Sequence, residues 1–247
     1  MKKFTRTPLF ALAVSASLVY AVPGIAGDQT DVHVTTTQEM KESTEAERAE
    51  MAAEVLKASL TGEDQSIPKA LLEEAHAVVV VPHVVKGAFL VGGQYGKGLV
   101  SWRDADGNWS APAFVSMGGA SYGFQAGVKA VDLLLVVTDP NGLQALMDDE
   151  LKLGAGIGVT AGPIGRDAEA STNLTLDTGI YSYSRSKGLF AGASLEGAVL
   201  TLDDDANRKV YGDAMTGKVL LSSMHTSNDT VMPFVKSLDA YVPDLES

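Results

Sequence analysis

Residues 77–103 read AVVVVPHVVKGAFLVGGQYGKGLVSWR, and this stretch decides the fold class. Val78 to Val81 is a β-branched run stopped by Pro82, the pattern of a short buried strand. Phe89–Gly93 and Lys97–Arg103 follow as further strand candidates. A helix is excluded here, because each interior glycine costs a helix about 1 kcal/mol relative to alanine. The same character extends outward: 20 of the 25 glycines lie between Gly87 and Gly197. Trp109–Met117, Val131–Thr138, Gly156–Gly162, Thr172–Ser184 and Leu189–Leu202 continue the series of strand candidates. Asp106-Gly107 and Arg185-Ser186-Lys187-Gly188 have the composition of hairpin turns.

Helical patterns flank this zone and interrupt it once. Thr44 and Glu47 have the spacing of a capping box. Behind them Ala49, Ala52, Ala53, Leu56 and Leu60 form one apolar stripe. A short helix fits Ser66 to Ala75, with Pro68 in its first turn. Asp139 caps a third, with Pro140 first and Leu143, Leu146 and Met147 inward; Thr230 caps a C-terminal one carrying Val231, Phe234, Val235 and Leu238. The expected class is α+β: N-terminal helices packed on a strongly bent, mainly antiparallel, Gly-rich sheet or partly closed barrel, with a C-terminal helix.

At the N-terminus, Lys2, Lys3 and Arg6 precede an uncharged run from Pro8 to Ala26. Pro23 and Gly24 break it late, and Gly24 and Ala26 supply small residues at the −3 and −1 positions of a cleavage site. Residues 1–26 thus read as an export signal, 27–38 as a flexible leader and 39–247 as a single domain. The expected location is periplasmic or secreted, with peripheral attachment to an envelope membrane. The full chain has a formal charge of −12 and no cysteine. Zero cysteine removes thiolate metal sites and cysteine nucleophiles, and the acidic balance argues against nucleic acid as a partner.

Short motifs add little chemistry. Gly119-Ala120-Ser121-Tyr122-Gly123 fits the G-x-S-x-G pattern of a serine hydrolase, but no convincing helix follows Ser121 and His225 is the only later histidine. Gly92 to Gly98 lacks the Ser or Thr that a phosphate loop needs after its lysine. Asp203, Asp205 and Asn207 begin a calcium-loop pattern without completing it and read as a solvated acidic turn. The four histidines are scattered, so no metal or other cofactor is implied. The 22 residues Gly107 to Val128 carry no charge, which fits glycine-kinked strands around a core. A basic set remains: Lys86, Lys97, Lys129, Lys152, Arg166, Arg185 and Lys187. Arg185 and Lys187 alternate at an expected hairpin tip and could grip a phosphate.

Longer blocks carry a family resemblance. Pro82 to Gly87 leading into Gly92 to Gly98 resembles the opening block of the SYLF domain family. Gly118 to Gly127, Asp132 to Val137, Lys152 to Arg166, Tyr181 to Gly197, Asn207 and Tyr211-Gly212 follow in that family's order. The resemblance covers about Glu39 to Val242. It implies a lipid-binding module and not an enzyme: relatives in eukaryotes bind phosphoinositides or other anionic phospholipids, and some fungal members bind actin. For an exported protein actin is an implausible partner. The expected function is therefore non-catalytic binding of phospholipid at the bacterial envelope, with a structural envelope protein as alternative and a hydrolase using Ser121 third. Lys86, Lys97, Arg185 and Lys187 are the head-group candidates. Tyr95, Tyr122, Tyr181 and Phe190 are their apolar neighbours.

Overall fold

A computed structural model describes residues 43–61, 66–89, 91–121, 127–148, 150–154, 157–165, 179–193, 195, 197–223, 226 and 228–242. The export signal, the leader, Tyr122 and His225 lie outside the described residues. Helix α1 (Glu45–Thr61) and the short α2 (Lys69–Glu73) lead into four strands: β1 (Ala77–Phe89), β2 (Val91–Trp102), β3 (Ala113–Ser121) and β4 (Gly127–Val137). Then come α3 (Pro140–Asp148), β5 (Glu150–Lys152), β6 (Val159–Ala161), β7 (Ile180–Ser186), β8 (Leu189–Gly192) and β9 (Ala198–Leu202). The chain closes with α4 (Asp204–Tyr211), α5 (Gly217–Leu221) and α6 (Met232–Tyr241).

The strands form one sheet in the order β5-β9-β3-β2-β1-β4-β7-β6, with β8 beside β7. Pairing is antiparallel except for β6 with β7. The expected α+β class holds, and the sheet is a half-barrel with two edges. Both faces are buried. Val78, Val80, Leu99, Phe114, Leu134, Val136 and Tyr183 pack under α1, α2 and α6. Val79, Val81, Val84, Val100, Val115, Leu133 and Leu135 pack against residues of α3 and α5. These are called the helical face and the inner face.

The capping box at α1 forms as its spacing required: Thr44 N–H donates to Glu47 Oε2 (2.8 Å) and Glu47 N–H to Thr44 Oγ1 (3.2 Å). Several boundaries differ from expectation. Pro82 does not end β1. Val81 pairs with Leu133 and Val84 with Val131, so Pro82 and His83 together oppose Asp132 in a bulge. Proline has no N–H to lose there, and His83 takes the left-handed conformation at φ 50°. Phe89–Gly93 is not one strand: Phe89 ends β1, and Val91, Gly92 and Gly93 open β2, paired with Phe89, Ala88 and Gly87. Leu189–Leu202 is two strands, and Thr230 leaves the cap of α6 to Val231. The acidic turn at Asp203 is the start of α4, whose N-cap Asp203 accepts from Ala206 N–H at 3.1 Å.

Gly96 and Gly98 make room for the bulge. A Cβ on Gly98 would lie 2.8 Å from Val81 Cα and still closer to the Val80 carbonyl oxygen. One on Gly96 would meet the Val81 and Val84 methyls at 2.7 and 2.8 Å. The glycine-lysine-glycine spacing therefore serves strand packing. Gly98→Ala must move backbone, so it should cost about 3 kcal/mol, read as a lower urea midpoint. An unchanged midpoint would show that the bulge yields freely.

Candidate functional site

Residues opposed in an antiparallel ladder share a face, which sorts the eight candidates. Lys86 pairs with Gln94 on one side and Lys129 on the other, and all three extend the inner face. Tyr95 and Lys97 occupy the other face of β2. Tyr181 and Phe190 belong to the helical-face core, and Arg185 lies in register with Phe190 on that face. The four head-group candidates are therefore not gathered in one place.

Arg185 does not project as a free fork. Its Nε donates to Asp132 Oδ2 at 2.9 Å, and Nη2 lies 2.9 Å from the same oxygen. The guanidinium sits over the Phe190 ring, 5.8 Å from its centroid. Asp132 Oδ1 accepts from the bulge N–H of His83 at 3.0 Å. One carboxylate thus ties the bulge of β1 to the β7–β8 hairpin. Lys187 and Gly188 form the hairpin's turn with φ of 52° and 84°, the backbone of a type I′ turn. Lys187 is exposed, and Leu189 beside it is 63% exposed.

Lys86, Lys129, Lys187, Tyr95 and Leu189 all lie toward one end of the sheet. The β1–β2 hairpin, the end of β3, the start of β4 and the β7–β8 hairpin meet there. Segments 84–96, 116–121, 127–132 and 184–192 contain Lys86, Lys129, Arg185 and Lys187, and one acid, Asp132. With Asp132 engaged by Arg185, the described segments of this end bring Lys86, Lys129 and Lys187 together in a chain of −12. Two large apolar side chains are exposed at this end, Leu189 and, on the opposite face of the sheet from Lys86 and Lys129, Tyr95. Lys86 is half-buried, and burial pulls its ammonium below the usual lysine value. Lys129 faces it directly across the ladder, so two like charges share one row. Lys129 stood in the basic set of the sequence, but only its pairing with Lys86 marks it as part of a site.

Lys97 belongs to a different place. It lines a cavity of about 300 Å³ between the start of α1 and α4, with Arg48, Lys209, Glu45, Asp203 and Asp205. Its ammonium is 3.6 Å from Asp203 Oδ2. Arg48 is 2% exposed, and the sequence reading missed it. The signal was its phase: Arg48 lies one turn before Ala52 on the apolar stripe, where a charge has no ordinary reason to be.

Ser121 ends β3 in register with Gly92, and the residues that would form a nucleophile elbow after it lie outside the described residues.

Residues 118–241 match the family profile described as Ysc84, Las17-binding protein actin regulator. The chain belongs to the Ysc84/SYLF family. Its SYLF relatives include LAS seventeen-binding protein 3 of Saccharomyces cerevisiae, 35% identical over 182 residues. That match covers 72% of this chain and 39% of the yeast protein. Protein YSC84 of the same yeast matches with the same identity and coverage. SH3 domain-containing YSC84-like protein 1 of Homo sapiens is 34% identical over 169 residues, 66% of this chain and 49% of that protein. The chain spans about two fifths to half the length of these relatives. The family description names an actin regulator, so the implausibility of actin rests wholly on the export reading of residues 1–26.

Proposed function

We propose that this SYLF domain is a non-catalytic module that docks peripherally on anionic phospholipid through the end of the sheet bearing Lys86, Lys129 and Lys187. One observation carries the reading: a strongly acidic chain places three lysines and exposed Leu189 and Tyr95 at one end of the sheet, where Asp132, the acid of the described segments, is already paired. An anionic surface attracts clustered lysines, and exposed Leu189 and Tyr95 can enter the interfacial layer. Overall repulsion is overcome locally, because fields from distant carboxylates fade within about 10 Å at 0.1 M salt. With residues 1–26 acting as an export signal, the surface is that of the envelope. Intact-mass analysis of the exported protein should then show loss of 26 residues; retention of Lys2 and Lys3 would move the docking to another compartment.

The test is flotation of the full chain with vesicles of phosphatidylglycerol and of phosphatidylcholine. Binding to the first should fall steeply with salt, and binding to the second should be weak throughout. Equal binding to both would remove the head-group charge from the account. A second reading, contact with protein partners, is favoured by the family description. It predicts cosedimentation with actin filaments in the absence of any vesicle.

A further inference from the structure

The cavity between α1 and α4 is lined by a buried arginine whose hydrogen-bonding capacity the fold leaves partly unused. Arg48 is almost fully buried, and its Nε and Nη1 atoms have no hydrogen-bond partner. Nη2 donates to the Ser43 carbonyl at 3.2 Å, and the guanidinium lies over the Phe114 ring, 5.5 Å from its centroid. A cation removed from water without a counter-charge is strongly unfavourable, so buried arginines are ordinarily paired. The carboxylates lining the cavity are engaged by other groups. Asp203 Oδ2 accepts from the Ser116 hydroxyl at 3.3 Å and lies beside Lys97. Glu45 holds Lys209 at 2.8 Å, and Asp205 holds Arg208 at 2.6 Å. Glu45 attracts Arg48 through space without a hydrogen bond to it, so the Arg48 Nε and Nη1 donors are the ones left unsatisfied.

We infer that this cavity binds a small phosphate-class oxyanion seated on Arg48, with Lys97 and Lys209 at its rim. The three cations come from three elements, α1, β2 and α4, and so approach from different directions. A tetrahedral ion offers oxygens along several directions, whereas a carboxylate offers two in one plane. About 300 Å³ accommodates such an ion with its remaining water. The start of α1 adds the positive end of a 17-residue helix. This site goes beyond the lipid reading. Lys97 faces away from the inner face that carries Lys86 and Lys129, so the two sites are separately mutable.

The test is thermal unfolding of the full chain at fixed ionic strength, with sodium phosphate or glycerol 3-phosphate replacing chloride. At ten times the dissociation constant either ligand should raise Tm by about 3–6 °C. Arg48→Met retains the packing on Phe114, so it should fold and lose the shift. Should it fail to fold, equilibrium dialysis of wild type and of Lys97→Met with labelled phosphate decides, with binding expected for the first and weakened for the second. Phosphatidylglycerol vesicles form the third arm. Dependence on Arg48 with vesicles alone assigns the phosphate to a lipid head group, and dependence with soluble phosphates assigns a free one. No response to phosphate in any arm, or a response that Arg48→Met retains, overturns the site. A chain altered at Lys86 and Lys129 that loses vesicles but keeps the soluble response separates this inference from the docking surface.

Discussion

Arg185→Glu should lower the stability of the folded domain by about 4 kcal/mol, because it turns a mostly buried ion pair into two facing carboxylates. The side chains of Arg185 and Asp132 are only 24% and 12% exposed, and both contacts to Asp132 Oδ2 are 2.9 Å. Deleting one member of such a pair leaves the other uncompensated, which typically costs about 3–5 kcal/mol when burial is complete. Partial exposure reduces that figure, and the introduced repulsion restores it. The damage spreads through Asp132, whose other oxygen holds the His83 N–H at the β1 bulge. If the Asp132 carboxylate turns away from the introduced glutamate, it also releases the bulge. Urea unfolding reads the effect as a large fall in midpoint. Lys187→Glu, two residues on at the exposed turn, should change the stability by less than about 0.5 kcal/mol. A stability for Arg185→Glu within that same margin would show that the pair contributes nothing. The contrast matters for the docking surface, because lost vesicle binding in an Arg185 variant would report unfolding before it reported a contact.

The sequence made the class and most of the elements readable, for reasons that can be traced. The capping box at Thr44 and the Asp139-Pro140 start are local devices, and local chemistry decides them. The hairpin at Lys187-Gly188 is equally local, since its turn needs positive φ at two positions. What stayed hidden depends on partners distant in the chain. Pro82 reads as a terminator until Asp132, 49 residues beyond His83, accepts the bulge N–H. Asp203 reads as a solvated turn until Asn207 is seen fully buried, its Oδ1 accepting from Phe114 N–H at 2.7 Å and drawing α4 onto β3. The site divided in the same way. Residue type suggested lysines and arginines, but only strand register put Lys86 beside Lys129, sent Lys97 to the other face and gave Arg185 to Asp132.

That register makes neutralising Lys86, Lys129 and Lys187 together the most informative change at the docking surface. Each lysine near an anionic surface is worth about 1 kcal/mol, so the triple change to glutamine should cost about 3 kcal/mol of vesicle affinity. That is more than about a hundredfold. The same change should leave stability equal or slightly higher. Lys86 is half-buried with its ammonium disfavoured by burial, so a neutral glutamine there relieves a desolvation cost that the fold otherwise bears. Stability given up for binding is the mark of a functional surface, whereas a merely solvated set of lysines would show neither effect. The pH dependence follows from the lowered Lys86 value. Contact with phosphate favours the ammonium form, so wild-type affinity should begin to fall as pH rises toward that value, below the 10.5 of an ordinary lysine. The triple variant should lack this early fall, and what binding remains should depend little on salt. Flotation across salt and pH, paired with urea midpoints of both chains, measures all of these. A triple variant that floats with phosphatidylglycerol vesicles like wild type at low salt would take the docking surface away from this end of the sheet.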